Sequence, residues 1–211
     1  MALMEGRTGV QTTTDGTVNP LRQSKDGSLI IQPYGGSYME LGLRAKLFQA
    51  SNQGPGGTTT TVGLATTHTG LVVSNPAGST VNLVMLKYSL SVVGAPVALS
   101  SIGLLGGYAS AGLVTHTTPL TPLTTFMNTQ STTGVAKADA AATLPSTPTL
   151  LQCFGQTPIT GATAQVVNPP VNLWDVDLQG LYVLPPGAYI GTYTSTVITV
   201  ISSFVWAEIP V

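Results

Sequence analysis

The sequence predicts an all-β protein, and three observations carry that reading. Threonine occurs 32 times in 211 residues, and its branched Cβ fits a pleated surface better than a helix. The 24 glycines and 15 prolines mark turns and interrupt helices along the whole chain. Between these breaks, apolar and polar residues alternate over short stretches, the period of a half-buried strand.

Charge divides the chain first. Residues 1–50 hold nine charged side chains: Glu5, Arg7, Asp15, Arg22, Lys25, Asp26, Glu40, Arg44 and Lys46. The remaining 161 residues hold six: Lys87, Lys137, Asp139, Asp175, Asp177 and Glu208. Residues 1–36 contain turn-rich pieces at 12–16, 26–27 and 35–36, and only residues 28–32 read as a short strand. Such a segment cannot bury a core by itself. It is expected to be an extended N-terminal arm that orders on a neighbouring subunit, or a frayed tail, ahead of a β-domain at 37–211.

Within that domain, Leu41, Leu43, Ala45 and Leu47 alternate along a strand expected at 41–50. A Gly-Pro-Gly-Gly and threonine loop follows. Strands are expected at 69–74 and 81–93, joined by the turn at 75–79 as a hairpin or adjacent pair. Another is expected at 100–110, where Gly106-Gly107 implies a bulge or a close backbone approach. Residues 115–149 read as a long connection of Thr, Pro, Ser and Ala, with a helical turn at most at 136–143. Strand character resumes at 150–154, lapses at 156–170, and returns at 177–184, 189–196 and 200–208. About eight strands with uneven connections suit a jelly-roll-like, two-sheet antiparallel sandwich. An immunoglobulin-like sandwich lacks its cysteine pair and tryptophan spacing here. No repeat of 20–50 residues is visible.

Composition narrows the function. Hydrophobic residues make up 43%, enough for a real core. Charged residues make up only 7%, against about 25% in typical soluble domains. The formal net charge is −1 and the pI about 6.0, which offers no basic field for nucleic acid. A surface of Thr, Ser, Asn and Gln risks poor solubility unless much of it meets a partner. Assembly is therefore expected. Cys153 is the sole cysteine, so no intrachain disulfide can form. The opening residues lack the apolar core of a signal peptide, and no run approaches the roughly 20 apolar residues of a spanning helix. A reduced cytosolic setting and no membrane partner are expected.

The candidates for chemistry are few. His68 and His116 could join a carboxylate around a metal, but no short spacing unites them. Asp175 and Asp177 would share a sheet face if extended; such pairs serve glycosidic chemistry or calcium, and more often are solvent-facing turn residues. Cys153 beside Phe154 reads as a buried, inert thiol. Trp174, Trp206 and Tyr182 could form a sugar platform, or serve as core anchors. No catalytic residue, metal or cofactor is assigned, and no enzyme activity is expected.

Several phrases resemble structural proteins of tailed bacteriophages, especially the capsid decoration (cement) type. They are the run from Leu47 to Gln53, that from Gly70 to Ser79, Thr115 to Pro122, Leu184 to Tyr189, and the ending Phe204 to Val211. The resemblance implies a jelly-roll knob on the capsid exterior, a homotrimer that ties major capsid subunits together in a virion assembled in the host cytoplasm. Arg7, Arg22, Lys25, Arg44 and Lys46 would dock onto the shell. Two other classes stay open: a tail-fibre or baseplate component that binds a host glycan, and a stand-alone carbohydrate-binding or hydrolytic module using Asp175 or Asp177.

Overall fold

The computed structural model describes residues 6–7, 21–22, 38–43, 45–52, 57–93, 98–110, 113–125, 134–157 and 173–211. The chain divides into two compact units, Met1–Met39 and Glu40–Val211. In the first, β1 (Gly6–Arg7) and β2 (Leu21–Arg22) pair in parallel, with Arg7 opposite Arg22. The short strand expected at 28–32 lies outside the described residues.

A short helix, α1 (Met39–Leu43), precedes β3 (Leu47–Ser51). This corrects the single strand expected across 41–50. The Lys46 and Ala45 N–H groups donate back to Leu41 and Gly42 carbonyls, and Ala45 takes φ 51°, so the backbone coils before it extends. The other strands are β4 (Thr58–Thr59), β5 (Thr67–Ser74), β6 (Val81–Val92), β7 (Ser101–Tyr108), β8 (Thr115–Leu120), β9 (Leu123–Thr124) and β10 (Lys137–Thr143). After them come β11 (Thr149–Gln156), β12 (Leu173–Asp177), β13 (Val183–Leu184), β14 (Ala188–Thr194) and β15 (Thr199–Pro210).

The second unit is all-β apart from α1, with two antiparallel sheets. One has the order β11-β7-β14-β5-β10-β8; the other has β12-β6-β15-β3-β9, with β13 on β6 and β4 on β15. β5 and β6 form neither the hairpin nor the adjacent pair expected, because the turn between them carries the chain from one sheet to the other. Pairing instead follows a long wrapped path. β5 pairs with β14, β6 with β13 and β12, β7 with β11, and β8 with β10. The chain from 67 to 120 thus runs antiparallel to the chain from 137 to 191.

Where loop was expected at 115–149, the structure has β8, β9 and β10. Alanine is a poor strand former in isolation, yet Ala136, Ala138 and Ala142 are buried, and β10 lies between β5 and β8. Small side chains suit that packing. The strand expected at 177–184 is likewise split: Gln179 (φ 48°) and Gly180 (φ 81°) turn the chain between β12 and β13.

The core lies between the sheets. Leu71, Val73, Ile102, Leu104 and Ile190 from one meet Leu83, Met85, Leu90, Phe204 and Trp206 from the other. Each such side chain, fully buried, contributes roughly 1.5–3 kcal/mol. The opposite face of the first sheet is covered too: Val72, Leu105 and Tyr189 pack with Val114 and Leu144 from its two crossing connections. The Tyr189 hydroxyl donates to the Ser146 carbonyl at 2.9 Å. Its ring lies over Gly107, where any Cβ would collide with it, and a Cβ at Gly106 would meet the Tyr189 carbonyl oxygen at 2.9 Å, the close backbone approach expected of the glycine pair.

Candidate functional site

Titratable and polar side chains concentrate where strands end. On the β8 edge, His116 Nδ1 lies 2.7 Å from Asp139 Oδ2. Asp139 is fully buried and His116 is 39% exposed. Burial raises the Asp139 carboxyl pKa, and the His116 hydrogen bond and charge partly oppose that rise. Adjacent to the dyad is a cavity of about 150 Å³, lined by Ser74, Asn75, Leu113, His116 and Gly187 among others. A carboxylate that holds Nδ1 is half of an acid–base pair. Among the described residues, however, no hydroxyl or thiol is hydrogen-bonded to Nε2. The dyad joins β8 to β10.

His68, in β5, stands apart from this pair. It is 1% exposed, neither ring nitrogen has a partner among the described residues, and burial lowers its pKa to about 4. No group of three His, Cys, Asp or Glu is placed to hold a metal among the described residues.

Asp175 and Asp177 do share a face: both are exposed, and Trp174 and Val176 between them are half-buried against the core. Asp177 sits opposite Lys87 and accepts hydrogen bonds from Gln179. Trp206 is fully buried and stacks on Phe48 at 6.4 Å, which removes it from any sugar platform. Tyr182 donates to Gln152 at 3.2 Å. With Tyr108, Tyr189, Leu151 and Val183 it lines a second, open cavity of about 350 Å³, to which Trp174 does not contribute. Cys153 is exposed rather than buried. β11 is the end strand of its sheet, and its register shifts on both sides of Gln152-Cys153, so the apolar stretch around this thiol does not enclose it.

Of the cations expected to dock, Arg7 and Arg22 are brought into register in the first unit. Lys46 is exposed just before β3. Lys25 and Arg44 lie outside the described residues.

Two structural devices were not legible in the sequence. Asn52 continues the β3 ladder with its side chain, donating to Val200 O and accepting from Ser202 N–H. Glu208 accepts from the backbone N–H groups of Val135 and Ala136 at 2.9 and 3.0 Å. Charge-assisted bonds of this kind are about twice as strong as neutral ones. Glu208→Ala is expected to cost about 2–3 kcal/mol, the penalty of orphaning buried donors, and to speed amide exchange at 135 and 136. Unchanged exchange there would show that the carboxylate holds nothing.

No family model, no curated protein and no solved structure matches this chain.

Proposed function

We propose that the chain is a non-enzymatic virion structural protein of the capsid decoration type, a jelly-roll-like knob that binds and stabilises a capsid shell. One observation carries the reading. A two-sheet sandwich exposes Leu181 (69%), Tyr108 (58%) and Val183 (51%), the last two lining one cavity with Leu151 of uncharged β11, in a chain with only 15 charged residues (seven basic, eight acidic). Such a surface favours burial against other subunits over a solvated life as a monomer. The wrapped antiparallel pairing supports a jelly-roll-like designation, with the β8–β10 pair added beside β5. The phage resemblance supplies the shell as partner, with the homotrimer as the associating unit and Arg7, Arg22, Lys25, Arg44 and Lys46 as its docking cations.

The test is co-sedimentation with empty heads of the virion that carries this chain. The full chain is expected to pellet with the shells and raise their disruption temperature, since a ligand of the mature state stabilises that state. Changing the five cations to Glu is expected to abolish both effects. Binding that is unaltered by this change, or absent in the native chain, refutes the reading. The tyrosine-lined cavity favours one second reading, a tail component that binds host glycan. Saturable binding on a glycan panel, lost in Tyr108→Ala, would establish it.

A further inference from the structure

Among the described residues the sheets end on β11 and β8 in the first and on β12 and β9 in the second, with the two-residue strands β13 and β4 also at the second sheet's margins. A free edge invites pairing with another chain, and proteins blunt such edges with brevity, proline, bulges or charge. β9 is only two residues long. β12 presents Asp175 and Asp177 to solvent. β8 carries Pro119, which has no N–H to offer, and its register against β10 shifts twice. β11 is different. Its eight residues, from Thr149 to Gln156, include neither a charge nor a proline. Leu150 and Leu151 are each 40% exposed, and Cys153 is exposed between them and the strand's end. The register of β11 against β7 also shifts twice, so charge and proline, not bulges, set it apart.

Charge also selects the occupant. A twofold axis lays a strand against its own copy, so an edge used in this way has to be free of like charge. At β12, the exposed carboxylates would meet their own kind. At β11 no charge meets its like: the strand laid on its copy about Cys153 sets thiol against thiol, Leu151 against Gly155 and Leu150 against Gln156.

We propose that β11 is a contact between two copies of this chain, paired antiparallel edge to edge across a twofold axis at Cys153. The two sheets containing β11 then continue into one another, and Leu150 and Leu151 of each copy are covered. The contact does not depend on the capsid reading. It uses one edge only, and so coexists with a threefold interface elsewhere on the molecule.

Opposed residues in an antiparallel pair have Cα atoms about 4.5–5.5 Å apart, within the span of a disulfide. The native thiol is therefore the probe. Treated with copper–phenanthroline, two Cys153 thiols give up two protons and two electrons to the oxidant and form one disulfide. The full-length chain is expected to give a linked dimer at a rate independent of dilution over a tenfold range, as for a preassembled pair. Cys153→Ser is expected to lose the link but keep the association measured by light scattering. Cys153→Lys places two ammonium groups face to face and is expected to weaken association at least tenfold, with an unchanged circular dichroism spectrum. The proposal is overturned if linking slows in proportion to dilution, or if the lysine variant associates as tightly as the native chain. Failure to bind capsid shells leaves it untouched, which separates it from the functional reading above.

Discussion

Acidification from pH 7 to pH 4 is expected to remove about 3 kcal/mol of stability through His68 alone. The ring is buried with both nitrogens unpaired among the described residues, and its pKa falls from 6.5 to about 4 on folding. A folded pKa below the unfolded one means that the native state resists protonation. The stabilising contribution is complete above pH 6.5 and is lost as pH falls towards 4. Two and a half units at about 1.4 kcal/mol each set a limit of about 3.5 kcal/mol, of which about 3 is reached at pH 4, where the native ring is half-protonated. Asp139 acts in the opposite sense. Its folded pKa is raised, so its contribution is present at low pH and is lost as pH rises through that value. The native curve alone mixes the two, and a difference curve against His68→Leu isolates the histidine. At pH 7 the leucine variant is expected to be about 1–2 kcal/mol more stable, because two unpaired polar atoms are removed. At pH 4 its advantage grows by about 3 kcal/mol. Urea denaturation of both proteins at pH 7, 5.5 and 4 measures this, and a difference that does not change with pH would sink it.

Asn52→Leu is expected to cost about 2–6 kcal/mol, from two orphaned backbone groups at about 1–3 kcal/mol each. Asn52 is 1% exposed, and its amide reaches Val200 O at 2.8 Å while its carbonyl oxygen holds Ser202 N–H. The Ser202 hydroxyl continues the chain to Thr192, which accepts the Tyr88 hydroxyl at 3.1 Å. Burial raises the Tyr88 pKa, so this donor stays protonated, and the chain of bonds crosses the core from one sheet to the other. Leucine fills similar volume but can serve neither backbone group. Asn52→Asp keeps the acceptor, loses the donor and buries a charge. It is expected to be worse than leucine at pH 7 and partly restored at pH 4, where the carboxyl protonates. For a chain of this length the leucine variant should melt roughly 4–24 °C lower. A loss below 1 kcal/mol in chemical denaturation would show that water replaces the side chain freely.

Local pattern and long-range pairing account for different parts of this fold. The strands beginning near 69, 81, 101, 150, 189 and 200 were legible because each alternates or stays apolar between glycine and proline breaks. These are strictly local signals. The all-β class and the buried positions Leu83 and Met85 follow from the same period. β8 and β10 were not legible. Their threonines and alanines have no periodicity of their own, and they extend only because β5 offers a ladder from across the sheet. The failure at Cys153 has the same origin. An apolar neighbourhood in sequence implies burial only for a strand with neighbours on both sides, and edge position is a property of topology.

The candidate sites divide in the same way. The shared face of Asp175 and Asp177 follows from a period of two, so the sequence by itself determined it, along with the all-β class, the scarcity of charge and the single thiol. Only the tertiary structure decided that His116 meets Asp139, that His68 is buried with no partner among the described residues, and that β11 is an exposed end strand carrying neither charge nor proline. Each of these depends on residues far apart in the chain. Contacts at that separation are set by the order of strands in the sheets, and strand order is written in the sum of all pairings rather than in any one segment.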